Sequence, residues 1–190
     1  MTLTHVQTQH YAAIINPADF GSLLADIEQY KGEPAISHAL RILPYVFVRS
    51  GELRGARWDE IDVEAGQWLI PAERMKMKRP HIVPLAPQVV KIFQSMRDYS
   101  GNCELVFPSA MSNTRCISDM GLLNALGHMG YSKDKMTIHG FRTSASTMLN
   151  EKGYNRDWIE AQLAHAEKNA IRDAYNRADY LDDLRSGACS

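Results

Sequence analysis

Cysteine is scarce, with Cys103, Cys116 and Cys189 the only three in 190 residues, and their positions show no paired metal-ligand spacing. Neither a disulfide framework nor a zinc site is suggested, and reduced thiols in the core or at the surface are the expected state. Long apolar runs are also lacking: nothing approaches the length that spans a bilayer, and no charged segment followed by an apolar one opens the chain. A cytoplasmic location is the expectation. Net charge is low as well, 21 Lys and Arg against 22 Asp and Glu for a formal −1. That is far from the strongly basic footprint of an autonomous nucleic-acid binder. Internal repeats and low-complexity segments are missing too, which leaves solenoid and fibrous architectures unsupported.

What is there is a chain of globular composition, 45% hydrophobic, long enough to bury one substantial core. Its charge is uneven. Residues 1–34 hold Asp19, Asp26, Glu28 and Glu33 against Lys31, whereas Arg74, Lys76, Lys78, Arg79 and His81 gather around Glu73. A local basic surface coexists with a neutral total. Duplex affinity comes largely from phosphate neutralisation, so few basic contacts imply weak, salt-sensitive binding by this domain alone.

Periodicity gives a mostly α reading with one small sheet. Asn16-Pro17 has the form of an N-cap and first helical residue, and Phe20, Leu23, Leu24 and Ile27 follow at helical spacing, which predicts a helix over 17–30. A second helix opens at Pro34 with Ile36, Leu40, Leu43, Val46 and Phe47 as its apolar stripe. Pro44 is expected to kink or divide it, and Arg49 to fall at or near its end. Between Trp58 and Leu85 the pattern becomes that of a three-stranded antiparallel sheet: Ile61-Asp62-Val63, Gln67-Trp68-Leu69-Ile70 and His81-Ile82-Val83-Pro84. Lys76 lies in the connection between the second and third strands. Helices are then expected over 87–99, 117–129, 138–152, 155–164 and 168–177, with 101–102 and 109–114 as flexible connections.

Several side chains along this framework suit phosphoryl chemistry. Arg49 follows an apolar run and precedes Gly51 and Glu52, so it emerges from the core at a cleft edge. A guanidinium fork matches two phosphate oxygens, although an Arg49–Glu52 structural pair explains the same residues, and Glu52 orients Arg49 in either case. His139 and Arg142, at i,i+3, share one face of a helix start, where free backbone N–H groups add positive potential. Taken alone, that pair reads as a solvated histidine and a surface arginine. Lys76, Lys78 and Arg79 are equivalent by spacing. His165 sits at a predicted helix end, and Tyr175 and Tyr180 place a phenol ten or fifteen positions later.

The stretches Val48-Arg49-Ser50-Gly51-Glu52-Leu53, Arg74-Met75-Lys76-Met77, His139-Gly140-Phe141-Arg142 and Leu163-Ala164-His165 resemble the catalytic domain of tyrosine recombinases, the phage integrase family. The resemblance runs from about His10 to Leu184. Trp58-Asp59-Glu60-Ile61-Asp62, Ile70-Pro71-Ala72-Glu73-Arg74-Met75-Lys76 and Ala174-Tyr175-Asn176-Arg177-Ala178 bring it nearest to the prophage and satellite-phage branch. It implies a mostly α (α+β) helical catalytic domain with a small three-stranded antiparallel sheet, spanning 1–185 and followed by a tail at 186–190. It implies that Arg49, Lys76, His139, Arg142, His165 and Tyr175 are catalytic, that Glu52 supports them, and that Arg74, Lys78, Arg79 and His81 contact DNA.

The chemistry implied is attack by Tyr175 on a scissile phosphate with His139 as proton acceptor, Lys76 protonating the departing 5′ oxygen, and a 3′-phosphotyrosyl intermediate that a partner strand reverses. With cations handling the charge, no metal or other cofactor is expected. Expected partners are double-stranded DNA at attachment sites, other protomers in a synaptic complex and DNA-bending accessory proteins, in the bacterial cytoplasm at the nucleoid. Family members carry arm-binding and core-binding domains before the catalytic one. Their absence here reads as a fragment or a truncated gene. Two other readings remain, a topoisomerase of the same chemistry and a catalytically idle DNA-binding remnant or regulator of a prophage.

Overall fold

A computed structural model describes residues 11–164. His165, Tyr175, Tyr180, Cys189 and the helix expected over 168–177 lie outside the described residues.

Helix α1 spans Pro17–Gln29, with the Asn16 side chain accepting from the amides of Ala18 (2.9 Å) and Asp19 (3.3 Å) and Pro17 at the first helical position. Helix α2, Pro34–Val46, is the central element: it packs against α1 and, further along the chain, against α4 (Pro87–Ser100), α5 (Asp119–His128) and α6 (Gly140–Glu151). Ala35, Ala39, Leu40, Ile42, Leu43 and Val46 are all buried. Pro44 neither ends nor divides this helix. It stands two residues from the end, where one lost hydrogen bond is outweighed by the packing of Leu43 and Val46. The chain then turns sharply at Phe47, a left-handed residue (φ 49°), and passes through buried Val48 to Arg49, whose backbone is extended.

Arg49 therefore does not finish α2. It caps a five-residue helix, α3 (Ser50–Arg54), that periodicity is too short to reveal. The sheet follows as expected: β1 (Ile61–Asp62), β2 (Gln67–Ile70) and β3 (His81–Pro84) pair antiparallel in the order β1-β2-β3. Trp68 faces Val83, Leu69 faces Ile82 and Ile70 faces His81 across the β2–β3 ladder. Trp68, Ile70 and Val83 are buried while Leu69 and Ile82 are exposed, so one face of the sheet closes the core and the other meets solvent. A short helix α7 (Arg156–Gln162) ends the described region.

The stretch 109–114, expected as a flexible connection, is instead part of a hairpin in which β4 (Pro108–Ser109) pairs with β5 (Ser112–Cys116). Ser, Asn, Thr and Arg dominate its second strand, and none of β5 is fully buried, so it carries no hydrophobic alternation. Phe93, Phe107, Trp68 and Phe141 are the largest fully buried aromatics, with Trp68 and Phe93 edge-to-face at 6.2 Å.

Candidate phosphate-binding site

The first arginine owes its position to a local capping arrangement. Glu52, the third residue of α3, accepts the Arg49 backbone N–H through Oε2 at 2.7 Å and the Arg49 guanidinium through Oε1 at 2.8 Å. Glu52 is only 4% exposed, whereas the Arg49 side chain keeps 27% of its surface. The carboxylate is a fixed internal brace, and the guanidinium it holds reaches the surface. The pair that holds Arg49 in place is thus also what presents its guanidinium at the surface. Five residues cannot sustain a helix alone. Tertiary bonds hold α3: Arg54 donates to the Ile117 carbonyl at 3.1 Å, Ser50 bonds Asp119 at the start of α5, and Arg74 donates to the Glu52 carbonyl at 2.5 Å.

The second arginine is deeper. Arg142, 4% exposed on the first turn of α6, donates through Nη1 to the Phe47 carbonyl and through Nη2 to the Leu163 carbonyl at 2.6 Å. One guanidinium thereby ties the turn before Arg49 to the end of α7, where Ala164 is left-handed (φ 50°). Burial, and next the charge of Arg49, push the Arg142 pKa down to about 10, with Glu52 and Glu160 acting in the opposite direction. It stays cationic at neutral pH. The two arginines feel one another, and Glu52 offsets their repulsion.

His81 joins this cluster. On β3 it lies opposite Ile70 and two residues before buried Val83, so strand alternation turns it toward the core face. Burial lowers its pKa, Arg142 and Arg49 lower it further, and Glu52 and a hydrogen bond to the Gln162 backbone raise it. Its Nε2 is buried and has no hydrogen-bond partner among the described residues.

Of the basic residues around Glu73, those on the connection itself are exposed and those at its ends are not. Arg74 pairs with the buried carboxylate of Glu60, which also accepts from Trp68 Nε1 at 3.1 Å, and its other nitrogen holds the Glu52 carbonyl. Arg74 therefore anchors the connection to α3 rather than joining an open basic surface. Lys76, Lys78 and Arg79 are exposed, with Lys78 left-handed (φ 53°) and its Nζ 3.3 Å from the Glu73 carbonyl. Lys76 is thus carried on an open turn whose base is fixed to the Arg49 brace.

His139 and Arg142 share a helix start but differ in environment. His139 is exposed, with its ring against Tyr11 at 4.5 Å between centroids, while Arg142 is buried. Between them Gly140 is required by crowding: a Cβ there would sit 2.4 Å from the Ala12 carbonyl oxygen. Thr137 supplies the side-chain cap that His139 does not, accepting the Gly140 N–H at 3.0 Å and donating to Ala12 at 3.2 Å. His165 and Tyr175 lie outside the described residues. Among the described residues no group of three or more His, Cys, Asp or Glu side chains could hold a metal ion. The same residues include no helix long and apolar enough to cross a membrane.

The sequence reading missed two inward turns. Period-two alternation back from Val83 was enough to find that of His81. No local signal reveals that of Arg74, because its partner Glu60 lies fourteen residues away across the sheet.

The chain is 38% identical over 198 residues to the integrase of Enterobacteria phage P4, covering 96% of this chain and 45% of that protein. It is 45% identical over 137 residues to the prophage integrase IntA of Escherichia coli K12, covering 72% and 33%. The chain thus spans less than half the length of these relatives. Among solved structures, XerA recombinase superposes with a TM-score of 0.66 at 18% identity, covering 92% of this chain and 66% of that one. XerH recombinase bound to its difH substrate superposes with 0.66 at 16% identity, covering 93% and 55%. These two establish the fold alone. The model of the phage integrase family matches residues 15–181, most of the chain, and the P4 integrase aligns over nearly all of it: this chain is a member of the phage integrase family.

Proposed function

We propose that this domain cleaves and rejoins DNA at specific sites through a 3′-phosphotyrosyl intermediate, as the catalytic part of an integrase that moves a mobile element into and out of a chromosome. The observation that carries the reading is the Arg49–Glu52–Arg142 cluster, two guanidiniums held by a buried carboxylate and two backbone carbonyls, within a chain of the phage integrase family. Fixed cations of this kind stabilise the charge that develops on a pentacoordinate phosphorus without reorganising during reaction.

In this reading Tyr175 attacks the phosphorus, and its proton passes to His139, the exposed histidine at the start of α6. Arg49 and Arg142 bind the nonbridging oxygens, with His165 as a further donor. Lys76, on its open turn, protonates the 5′ oxygen as it leaves. The phosphotyrosyl bond conserves the energy of the broken one, and a partner strand's 5′ hydroxyl restores the phosphodiester with no metal involved. Lys78 and Arg79 neutralise neighbouring phosphates, and Arg74 acts on DNA through the turn it anchors. The partners are duplex attachment sites, further protomers in the synaptic complex and DNA-bending proteins. One of the solved neighbours, the Tn1549 integrase, was determined in complex with transposon right-end DNA.

The test is covalent capture on a nicked suicide duplex bearing the candidate attachment core, in EDTA, comparing the chain with Tyr175→Phe. A denaturation-resistant adduct that disappears in the variant is the expected result. An adduct retained by Tyr175→Phe would move the nucleophile elsewhere, and an adduct that forms only with added magnesium would overturn the metal-free mechanism.

A further inference from the structure

His81 is more than part of a basic run. Three elements meet around it: β3, which carries it, the Arg49–Glu52 start of α3, and the end of α7, whose Gln162 backbone it engages; Arg142 of α6 acts on it as well. The ring N–H must donate to the Gln162 carbonyl, and since Nε2 is buried with no partner among the described residues, the donating nitrogen is Nδ1 by elimination. Nε2 therefore carries a lone pair, next to a cluster with two guanidiniums. A buried acceptor left unpaired is costly unless some state of the protein supplies a donor.

We propose that His81 is a positioning residue of the phosphate site, a neutral imidazole that ties β3 to the end of α7 through Nδ1 and offers Nε2 to a guanidinium N–H of Arg49 or Arg142 when DNA is bound. The inference rests on the phosphoryl-transfer reading of that site. Neutrality is essential to the role. A protonated ring would add a third cation to a site where Arg49 already acts on Arg142, and would remove the only acceptor that His81 has to give. Among the described residues, the other charges acting on the ring are Glu52, which favours the protonated form, and the two arginines, which oppose it.

The test has two parts. Imidazole ¹⁵N resonances of the chain are followed against pH, with His81→Gln used to assign the signal. The expected result is an Nδ1–H tautomer titrating below 6.5, with the midpoint moving up in Arg49→Gln and down in Glu52→Gln. A histidine merely packed in the core would move in neither variant, and that outcome, or a midpoint at or above 6.5, overturns the inference. The second part is the single-turnover rate of covalent capture. His81→Gln, which keeps an acceptor near the ε position and cannot titrate, is expected within tenfold of wild type at pH 7.5 and to lose the decline that wild type shows below pH 6.5. His81→Leu is expected to fall well below His81→Gln with duplex binding unchanged. Equal rates for the two variants would also overturn it. Opposite NMR shifts with no adduct from any protein, wild type included, would sink the cleavage reading and leave the coupling of His81 to the cluster standing. An adduct from wild type without the shifts would do the reverse.

Discussion

Arg142 is 4% exposed and fastened to the carbonyls of Phe47 and Leu163, whereas Lys76 stands exposed on a turn between β2 and β3 that Arg74 anchors at its start. The contrast fits what each charge does in the proposed reaction. A group that stabilises a transition state is most effective when it is already in place, because the protein then has nothing to reorganise. A proton donor has to reach a leaving oxygen, and a long side chain on an open turn gives it that reach. The fold supplies both from neighbouring segments: Arg74 links them, with one nitrogen on the Glu60 carboxylate and the other on the carbonyl of Glu52, the residue that braces Arg49.

This division can be broken at either side. The largest effect is expected at Arg142. Arg142→Ala should lower the single-turnover cleavage rate by about 10²- to 10³-fold, and it should also lower the urea midpoint, since the Phe47 and Leu163 carbonyls lose their donor. Next comes the link. Glu60→Ala leaves Arg74 without its carboxylate and should cost about 3–5 kcal/mol of stability, measured by urea unfolding. Replacing both partners, Glu60→Leu with Arg74→Met, should cost much less. Near-equal losses for the single and the double replacement would show that the pair does not anchor the connection.

A smaller effect belongs to pH. Burial lowers the His81 pKa in the folded chain, so the unfolded state takes up a proton first as pH falls below 6.5. The stability His81 contributes is complete above 6.5 and is lost as pH drops from there toward its folded value. Urea midpoints at pH 7.5 and 5.5 should converge in His81→Gln relative to wild type. The smallest effect is at the open turn: Lys78→Ala should leave the melting temperature unchanged and reduce the slope of log affinity for duplex against log salt by about one.

Much of this was legible in the sequence because it is written locally. The sheet announced itself by the β-branched and aromatic residues of 67–70 and 81–84 between turn residues, α1 by its Asn16-Pro17 start, and the placement of Lys76 between β2 and β3 followed from those two strands. What stayed hidden depends on packing across distance. Helix α3 has five residues and is stabilised by Ile117, Asp119 and Arg74 rather than by its own pattern. The hairpin at 108–116 is polar and half-exposed, so nothing in it marks a strand. His81 and Arg74 looked like members of a surface basic run because charge is read residue by residue, while their direction is set by the sheet face and by Glu60.

The most direct measurement of the division of labour is selective rescue in the nicked-duplex assay, using a substrate whose bridging 5′ oxygen is replaced by sulfur, a leaving group that needs no acid. Lys76→Ala should be slow on the oxygen substrate and return to near the wild-type rate on the sulfur one, while Arg49→Ala stays slow on both. Failure of sulfur to rescue Lys76→Ala, or equal rescue of Arg49→Ala, would contradict the assignment of proton donation to the open turn and charge stabilisation to the anchored arginines.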